Sequence, residues 1–223
     1  VPVWAGYTVF REFHKYSGRV MVATPSMRDE LAARGFKNIA PWSRGVDTSL
    51  FTPLRQPVLD LPRPISLYVG RVSVEKNIEA FLATDLPGSK VVVGEGPARA
   101  ALEARFPAVH FLGLREGAAL ADVYASADVF VFPSLTDTFG IVLLEALASG
   151  LPIAAFPVTG PLDVVGNAPV GVLDVDLRKA VLGALTLSRE ACRAEALRHG
   201  WRGSATEFIG NVRASMAPPA AIA

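Results

Sequence analysis

An acid on a loop and a second acid inside an apolar helix are the most informative residues of this chain. Asp137 stands before a nearly wholly aliphatic stretch, residues 140–148, and Glu145 lies within it. Such a stretch predicts a helix that is buried on most sides. An ionised Glu145 would there lose several kcal/mol of solvation free energy unless a partner compensates it. The pattern therefore indicates a carboxylate that is paired or that holds a polar ligand.

Two cations upstream are candidates for that partner. An apolar run ends in a glycine and is followed by Arg71 and Lys76, where the next predicted helix begins. A guanidinium and an ammonium at a helix N-terminus can bind phosphate, and each charged hydrogen bond contributes about 1.5–3 kcal/mol. The sequence leaves an alternative open, in which Arg71 and Lys76 pair with Glu75 or Asp137 in a set of surface ion pairs.

The composition limits the class of protein. The 223 residues fit one or two domains with a large core. A formal net charge of +1 gives no global basic field, so no nucleic acid partner is expected. The mean hydropathy of +0.34 fits a parallel sheet that is buried on both faces. No uncharged apolar run is long enough to predict a membrane-spanning helix. Cys192 is the single cysteine, which excludes an intrachain disulfide and favours a reducing compartment.

Apolar runs alternate with helical patterns and predict an α/β fold with a doubly wound parallel sheet. The predicted strands are residues 20–24, 38–42, 65–70, 90–94, 108–112, 128–132, 151–156 and 169–173. The predicted helices are residues 27–34, 76–83, 97–105, 116–126, 140–149, 160–166, 176–187, 190–199 and 203–215. Since ligands of such sheets lie outside the carboxyl ends of the strands, the loops that begin at residues 70, 94 and 133 should meet on one rim.

Four motifs follow one another in the order and spacing of a known family. They are Gly70-Arg71 with Glu75-Lys76-Asn77, then Gly94-Glu95-Gly96-Pro97, then His110-Phe111-Leu112-Gly113, and last the segment from Asp137 to Glu145. Together they resemble the nucleotide-sugar half of the retaining GT-B glycosyltransferases of family 4. The resemblance covers about residues 20–215 and implies the Rossmann-like C-terminal half of a GT-B fold.

Two further segments are similar to a narrower branch of that family. They are Thr24-Pro25-Ser26-Met27 and Trp42-Ser43-Arg44-Gly45-Val46-Asp47. The branch contains bacterial α-mannosyltransferases and sulfoquinovosyl-diacylglycerol synthases. This similarity implies a lipid-linked acceptor.

The resemblance assigns roles to individual residues. It implies that Arg71 and Lys76 grip the donor diphosphate and neutralise the leaving group, and that Glu145 holds the ribose hydroxyls. Asp137 stands where the family usually has a glutamate that contacts the transferred sugar, and the shorter side chain is a departure that bears on sugar choice. The other donor-binding residues implied are Gly70, Gly94, His110, Phe111, Leu112, Phe139, Gly140, Ile141 and Val142.

The function implied is that of a retaining hexosyltransferase that uses neither a metal nor a cofactor. It would transfer a hexosyl group from a UDP- or GDP-sugar to a lipid or saccharide acceptor, by front-face attack with catalysis through positioning and charge stabilisation. The family also implies a bacterial, cytoplasmic enzyme at the inner face of the membrane. Two alternatives stay open: a GT-B sugar-nucleotide epimerase or phosphorylase, for which no acid–base pair or cofactor lysine is evident, and a non-catalytic nucleotide-sugar-binding module.

The domain organisation is predicted from the same resemblance. Residues 1–44 would be the last part of an N-terminal acceptor domain, and residues 45–200 the nucleotide-sugar-binding domain. Residues 201–216 would form a helix that returns toward the N-terminal domain, and the Pro/Ala-rich residues 217–223 a disordered tail. Because most of the acceptor domain is not in the sequence, we expect the chain alone to transfer sugar poorly or not at all.

Two remaining features have a structural and a functional interpretation. Asp174-Val175-Asp176 has the D-x-D form of metal sites in other glycosyltransferases, but we interpret it as a strand end followed by a helix cap. Trp4, Tyr7, Phe10 and Phe13 follow helical spacing. That helix would be buried in the N-terminal domain or make peripheral contact with a membrane, and we favour burial.

Overall fold

The computed structural model describes residues 2–137 and 139–216, apart from the side chain of Val3. These residues form two compact units. Residues 46–200 make up the larger unit, and the described residues of 1–45 and 201–216 make up the smaller one. The tail that we predict to be disordered, residues 217–223, lies outside the described residues.

The elements alternate along the chain as predicted. In order they are α1 (Val3–His14), β1 (Val20–Val22), α2 (Pro25–Ala33), β2 (Ile39–Pro41), β3 (Ile65–Val69), a 3-10 helix (Val74–Lys76), α3 (Ile78–Ala83), β4 (Ser89–Val93), α4 (Arg99–Arg105), β5 (His110–Phe111), α5 (Gly117–Ser126), β6 (Val129–Phe132), α6 (Ile141–Ala148), β7 (Ile153–Ala155), α7 (Thr159–Val165), β8 (Gly171–Leu173), α8 (Leu177–Ala184), α9 (Arg189–Leu197) and α10 (Trp201–Met216). Every predicted strand and helix is present. The helix predicted at residues 76–83 is divided, because Asn77 adopts a left-handed backbone conformation between the 3-10 helix and α3.

The larger unit contains a six-stranded parallel sheet in the order β5-β4-β3-β6-β7-β8. The prediction of a doubly wound sheet is therefore confirmed. The chain moves outward from β3 to β5 and then returns to place β6 beside β3, with Leu67 opposite Phe130. This reversal is the topological switch point, and in open α/β sheets the ligand crevice lies at such a point.

Helices cover both faces of this sheet. All five residues of β3 and all four of β6 are buried, which is why these strands read as continuous apolar runs. Leu67 and Phe130 belong to the core on one face, and Tyr68 and Val131 to the core on the other. The central strands are therefore fixed on both sides, so that the loops at their carboxyl ends begin from rigid positions.

The smaller unit joins a two-stranded parallel sheet, β1 with β2, to the C-terminal helix α10. Ser204 on α10 donates a hydrogen bond to the carbonyl oxygen of Ser43 (2.7 Å), and the rings of Trp42 and Phe208 lie 5.0 Å apart. Side-chain contacts as well as backbone pairing thus hold this unit together.

Helix α1 forms where the aromatic spacing predicted a helix. Its Tyr7 hydroxyl donates to Glu30 (2.7 Å), and the Arg34 guanidinium lies 3.6 Å from the Tyr7 ring centre. Phe10 and Phe13 are 61% and 77% exposed within the described part of the chain. Burial of these two rings in an N-terminal domain therefore stays a prediction. None of the described helices is both long and apolar enough to cross a lipid bilayer.

Candidate functional site

A cavity of about 190 Å³ opens at the switch point between β3 and β6. Two loops flank it: the cationic loop, residues 70–77, and the acidic loop, whose described residues are 133–137, 139 and 140. The lining residues are Tyr68, Val69, Gly70, Arg71, Lys76, Phe132, Ser134, Asp137, Gly140, Ile141 and Val142. The cavity is smaller than the roughly 300–1,000 Å³ of typical small-molecule pockets. It therefore has room for a diphosphate or one sugar ring rather than for a whole nucleotide sugar.

Both cations of the site have carboxylate partners in this structure. The Lys76 ammonium donates to Asp137 Oδ1 at 2.5 Å, and both side chains are about three-quarters buried. The Arg71 guanidinium lies 3.7 Å from Glu75 Oε1, and both side chains are mostly exposed. The ion pairs that the sequence left open as an alternative are thus present. An incoming phosphate would meet one loosely held guanidinium and one ammonium that is already engaged.

The position of Arg71 depends on contacts beneath it. The Tyr68 hydroxyl donates to the Arg71 carbonyl oxygen at 2.8 Å, and burial raises the pKa of that hydroxyl, so it stays protonated and can donate. Gly94 has φ +136°, and a Cβ at this position would lie 1.9 Å from the Gly70 carbonyl oxygen. Only glycine therefore allows the loop after β4 to pass so close to the cationic loop.

Helix α6 begins at the opposite wall of the cavity. Gly140 precedes its first turn with φ +78°, and no described side chain caps the helix. The amide groups of Ile141 and Val142 therefore have no intrahelical acceptor, by the geometry of a first turn. Free amides at a helix N-terminus favour anionic or hydroxyl oxygen ligands.

The Glu145 carboxylate has a partner that we did not predict. Its Oε2 accepts a hydrogen bond from the fully buried Tyr124 hydroxyl at 3.0 Å. Burial raises the pKa of Glu145, and the hydrogen bond from Tyr124 partly opposes that rise. The expectation of Arg71 or Lys76 as its partner is wrong for this structure. The side chain is partly exposed, whereas five other residues of α6 are fully buried.

The structure brings together only some of the predicted site residues. Gly70, Arg71, Lys76, Asp137, Gly140, Ile141 and Val142 line the cavity. Glu145 lies one turn beyond Ile141 on the same face of α6 and does not line it. Gly94, His110, Phe111, Leu112 and Phe139 also lie outside the lining. Gly94 is nonetheless adjacent to Gly70 and donates its amide to the Gly113 carbonyl oxygen at 2.9 Å, which joins the loops after β4 and β5.

Three further residues contribute to the site and were not predicted. Tyr68 and Tyr124 hold Arg71 and Glu145 as described above. Ser134 lines the cavity at 1% exposure, and its hydroxyl has no hydrogen-bond partner among the described residues. A hydroxyl within or just after an apolar segment was the available signal for each residue, but a sequence does not show which oxygen, if any, that hydroxyl contacts.

The D-x-D segment has the predicted structural role. Asp176 caps α8 by accepting hydrogen bonds from the amides of Arg178 and Lys179, and Asp174 forms an ion pair with Lys179 at 2.7 Å. The interpretation as a strand end and a helix cap is confirmed. Among the described residues, no group of three or more histidine, cysteine, aspartate or glutamate side chains is arranged to hold a metal ion.

Comparisons with known proteins agree with this architecture. A family model described as "Glycosyl transferases group 1" matches residues 63–186. The GDP-mannose-dependent alpha-mannosyltransferase of Mycolicibacterium smegmatis is 36% identical over 227 residues, which cover 94% of this chain and 60% of that protein. The sulfoquinovosyl transferase SQD2 of Arabidopsis thaliana is 31% identical over 238 residues, covering 93% and 46%.

A solved structure has the same fold as this chain. The sucrose-phosphate synthase from Thermosynechococcus elongatus superimposes with a TM-score of 0.78 at 25% identity, over 94% of this chain and 61% of that one. The fold is thus that of the GT-B glycosyltransferases. The chain belongs to the glycosyl transferase group 1 family. It spans 60% or less of the length of the two relatives named above.

Proposed function

We propose that this chain is the donor-binding part of a retaining hexosyltransferase that uses a nucleoside-diphosphate sugar. GDP-mannose is the first candidate donor, because a relative that shares 36% of its residues over nearly the whole chain is named for that donor. A UDP-sugar is the second candidate, because the cavity has no room for the base and so does not select between guanine and uracil. The resident groups would need neither a metal nor a cofactor, since two cations are available for the leaving diphosphate.

One observation carries the proposal. Arg71, Lys76 and Asp137 line a single cavity at the switch point of a doubly wound sheet, beside the free amides of the α6 N-terminus. Cations and free amides suit a diphosphate, whereas a carboxylate suits the hydroxyl groups of a sugar. Groups that suit the diphosphate and a group that suits the sugar thus lie side by side at the cavity, which itself has room for one of the two parts.

In this proposal the cations act when the glycosidic bond breaks. The bond between the sugar C1 and the diphosphate oxygen cleaves, and the electron pair stays on that oxygen. Arg71 and Lys76 stabilise the added negative charge. The acceptor hydroxyl bonds to C1 on the same face and its proton passes to the leaving phosphate, so the anomeric configuration is retained. Charge stabilisation in a preorganised, poorly solvated site is worth about 3–4 kcal/mol for each well-placed donor.

Glu145 would bind the ribose of the donor. It lies about one helical turn from Ile141, at a distance that suits a nucleoside attached to a diphosphate in the cavity. The bond from Tyr124 favours the ionised carboxylate, which can accept two hydrogen bonds from vicinal hydroxyls. This role explains why a carboxylate is tolerated in a helix that is otherwise apolar.

The acceptor would be a lipid or a saccharide, and the protein would work in the cytoplasm at the inner face of the membrane. We favour burial of Phe10 and Phe13 of α1 in an N-terminal domain, and these rings are the apolar surface through which membrane contact would occur without that burial. Binding of the full-length protein to anionic vesicles should decrease on Phe10→Ser without a loss of thermal stability. Equal binding by the variant would exclude this contact.

The donor site is tested by calorimetry with UDP, GDP, GDP-mannose and UDP-glucose. Arg71→Ala and Lys76→Met should each weaken binding of the preferred nucleotide about tenfold or more, since each removes a charged hydrogen bond. Lys179→Met is the matched control, because Lys179 is an exposed lysine paired with Asp174 away from the cavity. Unchanged affinity in both site variants would refute the site.

Product analysis on the full-length protein separates the remaining possibilities. Transfer to an acceptor with retained anomeric configuration, undiminished by EDTA, fits the proposal. Conversion of the donor to an epimer without an acceptor would indicate the epimerase. Donor binding without turnover on any lipid or saccharide acceptor would indicate a non-catalytic binding module.

A further inference from the structure

Asn77 holds an uncommon backbone conformation at the end of the cationic loop. Its φ and ψ are 50° and 30°, a region that non-glycine residues seldom occupy, although asparagine tolerates it better than most. Its amide donates to the Val74 carbonyl oxygen at 2.9 Å, and its own carbonyl oxygen accepts from Ala80 at 3.1 Å. This conformation ends the 3-10 helix and begins α3, so the backbone alone explains part of the residue choice.

The side chain of Asn77 makes a second, longer-range connection. Its Nδ2 donates to the carbonyl oxygen of Pro133 at 3.1 Å, across 56 residues of sequence. Pro133 is the first residue of the acidic loop, which carries Asp137. The neighbouring residue Lys76 makes the ion pair with Asp137. Two adjacent residues therefore join the cationic loop to the acidic loop, one through a charged pair and the other through a neutral hydrogen bond.

These two connections respond differently to a phosphate ligand. A phosphate that binds the Lys76 ammonium competes with Asp137 for it, because both are anions at the same cation. The Asn77–Pro133 hydrogen bond is neutral and does not involve the ammonium. A phosphate at the Lys76 ammonium therefore does not compete for this hydrogen bond.

We propose that Asn77 is a positioning residue that keeps the cationic and acidic loops in register while the donor diphosphate occupies Lys76. The inference rests on the proposed function, since it needs a phosphate at that ammonium. The Asn77–Pro133 hydrogen bond would preorganise the site, because the two loops would keep their relative position when the ligand binds. Asn77 itself does not line the cavity and touches no reacting atom in this account.

Two substitutions separate the backbone role from the side-chain role. Asn77→Gly retains the left-handed conformation and removes the hydrogen bond, whereas Asn77→Asp retains the size and replaces the donor with an acceptor that faces a carbonyl oxygen. The ligands are UDP and GDP, titrated into the full-length protein, with the thermal midpoint measured alongside. Each variant should bind the preferred nucleotide about threefold to tenfold more weakly, the range expected for one hydrogen bond, at a nearly unchanged midpoint for Asn77→Gly.

A double-mutant cycle supplies a readout that a purely structural role would not change. In an Asp137→Asn background the ion pair is absent from both the free and the bound state, so both states depend on Asn77 and Asn77→Gly should cause a smaller fold-loss of affinity than in the unmodified protein. Additive effects in this cycle would overturn the inference and leave the proposed function intact. The same holds if Asn77→Gly and Asn77→Asp both bind nucleotide within twofold of the unmodified protein. If the unmodified full-length protein binds neither UDP nor GDP, both fail together.

Discussion

The ammonium of Lys76 lies 2.5 Å from the carboxylate of Asp137, across the opening between β3 and β6. The two side chains are separated by 61 residues of sequence and meet because their strands are neighbours in the sheet. In our proposal the pair must open when a donor binds, because the diphosphate needs the ammonium and the sugar needs the carboxylate. The ion pair is thus the ligand-free arrangement of a site whose two halves bind different parts of one molecule.

Asp137→Asn should therefore separate nucleotide binding from sugar transfer. Removal of the carboxylate frees the ammonium and removes a negative charge beside the phosphates, so UDP or GDP should bind about threefold to tenfold more tightly. Transfer should decrease, because the contact with the sugar is lost. Asp60→Asn is the control, since it removes an equal charge from an exposed position and should change neither. Weaker nucleotide binding by Asp137→Asn would mean that the carboxylate positions Lys76 rather than competing for it.

Glu145→Gln should change the pH dependence of stability. Burial raises the pKa of the folded carboxyl above its ordinary value of 4.5, so the folded state holds this proton more tightly than the unfolded state. Stability is then lost as pH rises from that value through the folded pKa. The Glu145→Gln variant lacks this loss. In urea titrations, the free energy of unfolding of the variant minus that of the unmodified protein should therefore be larger at pH 7 than at pH 4.

The same variant should bind nucleotide about tenfold more weakly, because charged hydrogen bonds to the ribose become neutral ones. Glu116→Gln, an exposed position, is the matched control for both measurements. A relative stability that does not depend on pH would contradict the raised pKa. A nucleotide affinity equal to that of the unmodified protein would remove Glu145 from the donor site.

Arg193 should be one of the main stabilising residues of the larger unit. Its guanidinium donates to the carbonyl oxygens of Phe51, Ala148 and Thr48, each at 2.7 Å. Arg193→Leu leaves these three acceptors without their donor and should lower the free energy of unfolding by about 2–4 kcal/mol. Arg193→Lys should cost less, because an ammonium can still reach one or two of them.

Arg198→Leu provides the comparison for that measurement. Arg198 follows α9 at 75% exposure and pairs with Glu195 on the surface. Its loss should cost less than about 1 kcal/mol. Equal destabilisation by Arg193→Leu and Arg198→Leu in denaturant titrations would show that the three carbonyl contacts contribute little.

The single cysteine should report on unfolding. Cys192 is fully buried, and burial raises the pKa of its thiol to about 11. Since the thiolate is the reactive form, the folded protein should react with a disulfide reagent at pH 8 at least about 100-fold more slowly than the urea-unfolded chain. One thiol per chain should be modified after unfolding. Rapid modification under native conditions would show that this part of the core opens readily.

Local pattern was sufficient to predict the fold. Most strands of the larger unit contain an apolar run with a glycine or proline beside it, and helical patterns separate these runs, so the sequence shows the alternation that defines a doubly wound sheet. The same alternation placed the loops after β3 and β6 on one rim, because parallel strands present their carboxyl ends on one edge. The cavity lined by Arg71 and Asp137 follows from that rule.

The partners of the charged groups were decided by tertiary structure. Glu145 was expected to meet a cation and instead accepts a hydrogen bond from Tyr124, on a different helix. Asn77 was predicted only as part of a motif, and its hydrogen bond to Pro133 depends on how closely two loops approach. Hydrogen bonds are formed within a few tenths of an ångström, a scale that the packing of the whole sheet sets. The sequence by itself thus determined which chemical groups meet at the rim, whereas only the folded arrangement decided which atoms they contact.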